Sequence, residues 1–157
     1  WWDLRNSQEF GNNNSAALYG WRAYGDYGMV SPANACYPTF FVRTLLPHFA
    51  RGGDQIVPAV SDSLLLAAYA ARRTDGALTV LFVNKSPAQD ATAQVQLHGT
   101  EARRDATVYS YGSPQDDAAR MGRGSADAAE IHLGPVDATF TCVLPPYSVT
   151  AMVLKPL

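Results

Sequence analysis

The last line of the chain constrains its fold more than any other. Val143-Leu144-Pro145-Pro146-Tyr147-Ser148-Val149-Thr150-Ala151-Met152-Val153-Leu154 sets a Pro-Pro corner before a run with period-two alternation. Side chains alternate across a strand, so Val149, Ala151 and Val153 face one side and Ser148, Thr150 and Met152 the other. An alternating strand entered by a rigid corner at the end of the chain is what a β-sandwich needs to finish its sheet.

The preceding hundred residues read the same way. Residues 63–71 are apolar on both faces, and Asp75-Gly76 marks a tight turn consistent with a hairpin. Residues 77–83 form an apolar central strand, which Asn84-Lys85-Ser86-Pro87 ends. In residues 91–98, Ala91, Ala93, Val95 and Leu97 point inward and Thr92, Gln94, Gln96 and His98 outward. Residues 105–111, 130–133, 138–144 and 147–155 supply further strands. Residues 113–129, polar and rich in Gly, Asp and Ala, are expected to be a long mobile loop. About eight short strands at short spacing predict an antiparallel β-sandwich or jelly-roll-like domain.

The first part of the chain has a different grammar. The boundary falls at Gly52-Gly53-Asp54, which gives regions 1–52 and 53–157. Residues 38–46 predict a helix. Pro38 suits a first helical turn, and Phe41, Leu45 and either His48 or Phe49, or Val42, Leu46 and Phe49, recur at helical spacing. Pro47 is expected to kink or end it, and Gly52-Gly53 releases the chain. So apolar a helix needs something large to pack against.

Ahead of the helix lie Trp1-Trp2-Asp3-Leu4, a loop with Asn12-Asn13-Asn14-Ser15, and Tyr19-Gly20-Trp21-Arg22-Ala23-Tyr24-Gly25-Asp26-Tyr27-Gly28-Met29. Tyr and Trp rings offer flat apolar faces with a polar edge. Sugars stack on such faces while Asp, Asn and Arg take their hydroxyls. Trp1, Trp2, Asp3, Tyr24, Asp26 and Tyr27 are therefore candidate saccharide-binding residues. The alternative is that these aromatics pack a junction between two domains.

Composition narrows the function classes. The 157 residues are 47% hydrophobic and 17% charged with net charge −2, which supports a folded core but no basic face for nucleic acid. No apolar run approaches the roughly 20 residues that span a bilayer. The chain opens without a basic n-region or an initiator Met, so no signal peptide is expected here and upstream residues are expected to have been removed. Cys36 and Cys142 match no zinc spacing. Cys142, in a strand-like run, reads as a buried thiol, and a disulfide to Cys36 is the other arrangement open to the sequence.

No chemistry of its own is legible. The acids Asp3, Glu9, Asp26, Asp54, Asp62, Glu101 and Glu130 form no evident dyad. Asp116-Asp117 reads as a solvated pair, with weak calcium binding as the other possibility. His48 follows Pro47 at the helix end, where the helix dipole accounts for it, and His48, His98 and His132 form no metal pair. Ser110 and Ser148 lack a nucleophile elbow, and Gly122-Arg123-Gly124 lacks the strand-to-helix context of a phosphate loop. No cofactor is expected.

Taken together, these motifs resemble the C-terminal part of retaining glycoside hydrolases. Trp1-Trp2-Asp3-Leu4, the loop through Tyr24-Gly25-Asp26-Tyr27-Gly28 and the helix look like the eighth strand, loop and helix of a (β/α)8 barrel. Ser61-Asp62, Leu66-Ala67-Ala68-Tyr69-Ala70-Ala71-Arg72-Arg73, the strand through Asn84 and the closing Leu144-Pro145-Pro146-Tyr147-Ser148-Val149-Thr150 look like the attached sandwich. The arrangement is similar to family 44 endoglucanases, with family 51-type arabinofuranosidases as close competitors. The resemblance is weaker over residues 99–137, and no single motif decides it.

The resemblance implies a retaining mechanism in which two glutamates lie roughly 5–5.5 Å apart. They would come from the fourth and seventh barrel strands, so neither is expected in this chain. It implies a polysaccharide or oligosaccharide partner and the remainder of the barrel, in the same polypeptide or a separate chain, with no nucleic acid and no membrane. It implies an extracellular or periplasmic location. Trp1, Trp2 and Asp3 would stand near the barrel rim, where such active sites lie. A freestanding carbohydrate-binding module is the alternative function, and an adhesin-like structural sandwich a third.

Overall fold

A computed structural model describes residues 4–5, 28–32, 34–99, 103–122 and 127–157. It divides into two compact units, Trp1–Thr44 and Leu45–Leu157. In the first, the Met29 and Val30 amides both donate to the Leu4 carbonyl at 3.0 Å, and the Tyr37 amide donates to Met29 at 2.9 Å. The Arg5 guanidinium donates to the Pro32 carbonyl. Val30 bridges Arg5 in parallel and Cys36 antiparallel. These bonds lead the chain to helix α1, Pro38–Phe49.

Helix α1 does not end before Pro47, as expected, but runs two residues past it. The missing Pro47 amide costs one bond in the last turn, where few remain to be lost. The exit is then capped from outside. The Ala50 amide reaches Leu46 at 3.0 Å, and the Arg51 guanidinium donates to the Pro47 carbonyl at 2.9 Å.

The second unit is mainly antiparallel β, as the alternation predicts. Its strands are β1 Gln55–Val57, β2 Leu66–Arg72, β3 Leu78–Asn84, β4 Ala91–Gln96, β5 Arg104–Tyr111, β6 Ala129–Val136, β7 Thr139–Leu144 and β8 Ser148–Pro156. They form a six-stranded sheet ordered β1-β2-β3-β8-β5-β6 and a two-stranded sheet, β4-β7. The closing strand β8 lies at the centre of the large sheet, between β3 and β5.

Two local departures have local causes. Strand β2 begins at Leu66 rather than residue 63, because serines before it bond to the nearby backbone. Ser61 Oγ accepts from the Ser63 amide at 3.2 Å and Ser63 Oγ from the Leu65 amide at 3.3 Å, offering that stretch an alternative to the ladder. The expected loop 113–129 begins instead as helix α2, Ser113–Arg120. Pro114 suits the first turn and Asp116 the helix dipole. The Gln115 side chain reaches back to accept from the Gly112 amide at 2.9 Å. A capping residue set was present in Ser113-Pro114-Gln115-Asp116, hidden by the polar composition around it.

The two faces of the large sheet are filled differently. On the inner face Val80 and Phe82 pack with Leu144, Ala91, Ala93 and Val95 of the small sheet. Beside them Ala106, Met152 and Leu154 pack with Leu97, Phe140 and Cys142. On the outer face the last turn of α1 meets β3 and β5. Leu45 is 1% exposed, the Thr79 hydroxyl donates to the Phe49 carbonyl at 2.6 Å, and the His48 ring stacks on Tyr109. The sheet itself thus covers part of the apolar helix.

Candidate functional site

The residues chosen from the sequence for saccharide contact, Trp1, Trp2, Asp3, Tyr24, Asp26 and Tyr27, lie outside the described residues. The site-forming features that are described sit in the second unit: a corner, a cluster on the outer face, and an apolar slot on the inner face.

At the corner, the Asn84 amide nitrogen donates to the carbonyls of Leu144 (3.0 Å), Pro145 (2.8 Å) and Gln89 (3.0 Å). Its carbonyl accepts from the Ser86 amide at 3.0 Å. The Tyr147 amide donates to Ser86 at 2.9 Å, and Tyr147 turns the chain with φ 43°. Ser148 Oγ donates to the Pro145 carbonyl at 2.6 Å. Ser110 Oγ shares a 3.0 Å hydrogen bond with Thr150 Oγ1. These hydroxyls are engaged in structural bonds.

On the outer face, His48 and Tyr109 stack at 3.7 Å between ring centroids and 20° between planes. The Tyr109 hydroxyl donates to Glu130 Oε1 at 3.2 Å. Burial lowers the His48 pKa below its ordinary 6.5. The Glu130 charge opposes the shift, and the Arg51 and Arg73 charges add to it. The helix dipole alone therefore does not account for His48: the ring is held by stacking, and the site favours its neutral form. Burial, then the bond to Glu130, pushes the Tyr109 pKa up.

A pH effect follows. Because folding lowers the His48 pKa, the unfolded chain takes up a proton that the folded chain resists. His48's contribution to stability is full above pH 6.5 and is lost as the pH falls below that value. His48→Phe keeps a ring against Tyr109 and removes the proton. Thermal midpoints between pH 7.5 and pH 5 should fall less for this variant than for the parent, and equal falls would refute the assignment.

Asp54 and Asp75 serve as acceptors. Asp54 takes the amides of Arg51 at 2.8 Å and Thr74 at 3.0 Å, fastening the helix exit to the β2–β3 turn. These bonds, Thr74 first, lower its pKa. Asp75 pairs with Arg73 at 2.9 Å and takes the Ala77 amide at 3.1 Å. Among the described residues no group of three His, Cys, Asp or Glu side chains converges as a metal site.

The slot, about 210 Å³, lies between β7 and strands β5, β6 and β8. Val108, Ile131, Leu133, Cys142, Val143 and Met152 line it, and none of these is an acid or base suited to hydrolysis. Cys142 and Cys36 are both free thiols. Burial pushes the Cys142 pKa up to about 11, so near pH 8 it should hold about a hundredfold less thiolate than an ordinary cysteine. Iodoacetamide at pH 8, followed by peptide mass spectrometry, should label Cys36 well before Cys142. Equal labelling would show that the thiol is not shielded.

The second unit is thus an antiparallel sandwich whose described sheets hold six and two strands, with Asn84, Asp54 and Ser148 among the polar groups that hold its turns. No family model matches the sequence, and no curated protein matches it. Solved structures do match. A glycoside hydrolase family 30 endoxylanase from Clostridium papyrosolvens aligns with TM-score 0.63 at 15% identity, over 99% of this chain and 41% of that one. A family 30 subfamily 8 xylanase from Clostridium acetobutylicum gives 0.64 at 15% identity, over 82% and 30%. The Paenibacillus polymyxa family 44 xyloglucanase solved with xyloglucan gives 0.52 at 20% identity, over 65% and 19%. At these identities the likeness is one of fold. The chain spans less than half the length of each.

Proposed function

We propose that this chain is the C-terminal accessory region of a polysaccharide-degrading, retaining glycoside hydrolase, which packs on and completes the catalytic barrel. The observation that carries the reading is the fold match over 99% of this chain to an endoxylanase more than twice as long. The corner and turn groups of the second unit fit a supporting role, since Asn84, Ser148, Asp54 and Asp75 are committed to internal hydrogen bonds. Ile56, Val60, Leu64 and Leu65 stand exposed around the β1–β2 connection, and a barrel flank would cover such a cluster.

On this reading residues 1–52 are the last strand, loop and helix of the barrel, and residues 53–157 the sandwich. The catalytic glutamates lie outside the chain. Trp1, Trp2, Asp3, Tyr24, Asp26 and Tyr27 contribute to a substrate subsite, and the protein works outside the cytoplasm. The motif resemblance favours family 44. Xylan and xyloglucan, the substrate classes of the superposing enzymes, are the polymers to test first, with soluble β-glucan and aryl-arabinofuranoside beside them.

The test is to assay the polypeptide expressed from its full coding sequence beside residues 1–157 alone. The longer protein should release reducing sugar from at least one polymer, and the 157-residue chain from none. A 157-residue product that is the whole protein and binds polymer without cleaving it would overturn this reading in favour of a carbohydrate-binding module.

A further inference from the structure

We propose that the outer face of the small sheet binds a neutral polysaccharide chain, through Thr92, Gln94 and Gln96 of β4 and Thr139 and Thr141 of β7. The proposal rests on the accessory-region reading for the class of polymer, and on the face itself for its place.

Alternation builds the face. Ala91, Ala93 and Val95 of β4 and Cys142 and Leu144 of β7 pack toward the large sheet. The residues between them point the other way, and all of these are exposed. The register sets Gln94 opposite Thr141 and Gln96 opposite Thr139. Side chains directly opposite stand about 5 Å apart, and every second residue lies about 7 Å further along its strand. The polar groups therefore form a shallow grid. The last turn of α1 packs on the far side of the sandwich, where the Thr79 hydroxyl holds the Phe49 carbonyl, so the grid is turned away from that turn.

Two properties set this face apart. The first is charge. None of the outward residues of β4 and β7 is charged, whereas the outer side of β5 and β6 pairs His132 with Asp105 and Tyr109 with Glu130. The second is open hydrogen-bonding capacity. Among the described residues, no side-chain hydrogen bond or ion pair within the protein engages these glutamines and threonines. Their donors and acceptors are open to a ligand.

The chemistry selects the occupant. A Gln amide offers donors and an acceptor side by side, and a Thr hydroxyl offers both next to a methyl group. A polyanion needs cations to neutralise it, and the face supplies none. An apolar surface laid here would strand the amides and hydroxyls without partners. A folded protein anchors through buried aromatic or apolar side chains, and the face offers only Val143 at one corner. A neutral polyhydroxylated chain meets every condition: its hydroxyls both give and take hydrogen bonds, and its C–H groups meet the threonine methyls. Thr92 to Gln96 spans about 14 Å, room for a short run of sugar units. On the accessory-region reading the polymer is xyloglucan or a neutral xylan.

Affinity gel electrophoresis of the full-coding-sequence protein tests this, with soluble xyloglucan and neutral arabinoxylan as probes and polygalacturonate as the charged control. At least one neutral polymer should retard the protein. Gln94→Ala combined with Gln96→Ala should weaken that binding about fivefold or more, the loss expected for one hydrogen bond. Thr139→Ala combined with Thr141→Ala should weaken it from the neighbouring strand. Gln94→Glu, which keeps the shape and replaces the amide by a charge, should weaken it as well. These side chains are exposed, so the melting temperatures should stay within about 2 °C of the parent. Binding unchanged by both double variants would overturn the proposal, even if the longer protein degrades polysaccharide. Binding weakened by the variants in a protein without hydrolytic activity would support the face and sink the enzyme reading. No retardation by either neutral polymer, or equal retardation by polygalacturonate, would overturn the proposal.

Discussion

Replacing Asn84 by Ala is expected to lower the unfolding free energy of this domain by about 3–4 kcal/mol, the largest effect of any single side chain outside the apolar core. Asn84 is 2% exposed, and its amide meets the carbonyls of Leu144, Pro145 and Gln89 as well as the Ser86 amide. Alanine removes every partner at once and leaves polar backbone groups facing a void. An unmade buried hydrogen bond costs about 1–3 kcal/mol per group, more than the bond contributes when present. Asn84→Asp separates shape from donor chemistry. It keeps an acceptor for Ser86 but turns the donor into an oxygen aimed at carbonyls, so it should be at least as damaging as Ala. Urea titration followed by fluorescence measures both. A loss below about 1 kcal/mol for either variant would show that the Pro-Pro corner holds itself.

The second large effect is expected at Gly112, which closes the same corner from the other side. A Cβ there would stand 2.6 Å from Ser148 Cβ, 2.8 Å from Ser148 Cα and 2.9 Å from the Tyr147 carbonyl oxygen. Two of those atoms belong to the backbone and cannot rotate away. The φ at Gly112 is −173°, ordinary extended backbone, so the requirement for glycine is space alone. Gly112→Ala should cost about 2–3 kcal/mol, in the range of forced overpacking. Adding Ser148→Gly removes one clashing atom and leaves the two backbone contacts, so it should restore only part of the loss. Full restoration would mean the Cβ–Cβ clash is the whole effect. Because Asn84 and Gly112 press on one turn, their combined loss should not equal the sum of the two.

Much of this architecture was legible along the chain. The hairpin at Asp75-Gly76 follows from its turn chemistry: Gly76 takes φ +84° and its amide donates to Arg73 at 3.0 Å. The inward set Ala91, Ala93 and Val95 follows from strict alternation, and alternate residues of β4 are the half-buried ones. Helix α2 was legible in principle and was masked by composition. Seventeen polar-looking residues read as a loop, although the capping pattern at their start pointed to a turn of helix. The candidate sugar contacts rest on sequence alone, since ring chemistry marks a residue as able to stack without saying where it stands.

The sequence by itself determined most of the strands, though not β1 at Gln55–Val57; it also determined the inward-facing set of β4 and that a Pro-Pro corner introduces the last strand. Those properties are local, because the two-residue period and the turn residues act within a few positions. Only the tertiary structure decided that β8 lies between β3 and β5, that the layers hold six strands and two among the described residues, and that His48 stacks on Tyr109. An apolar strand fits the edge of any other apolar strand, so its pattern fixes its faces and leaves its neighbours open. The neighbours are set by the whole chain's competition to bury apolar surface and pair backbone groups.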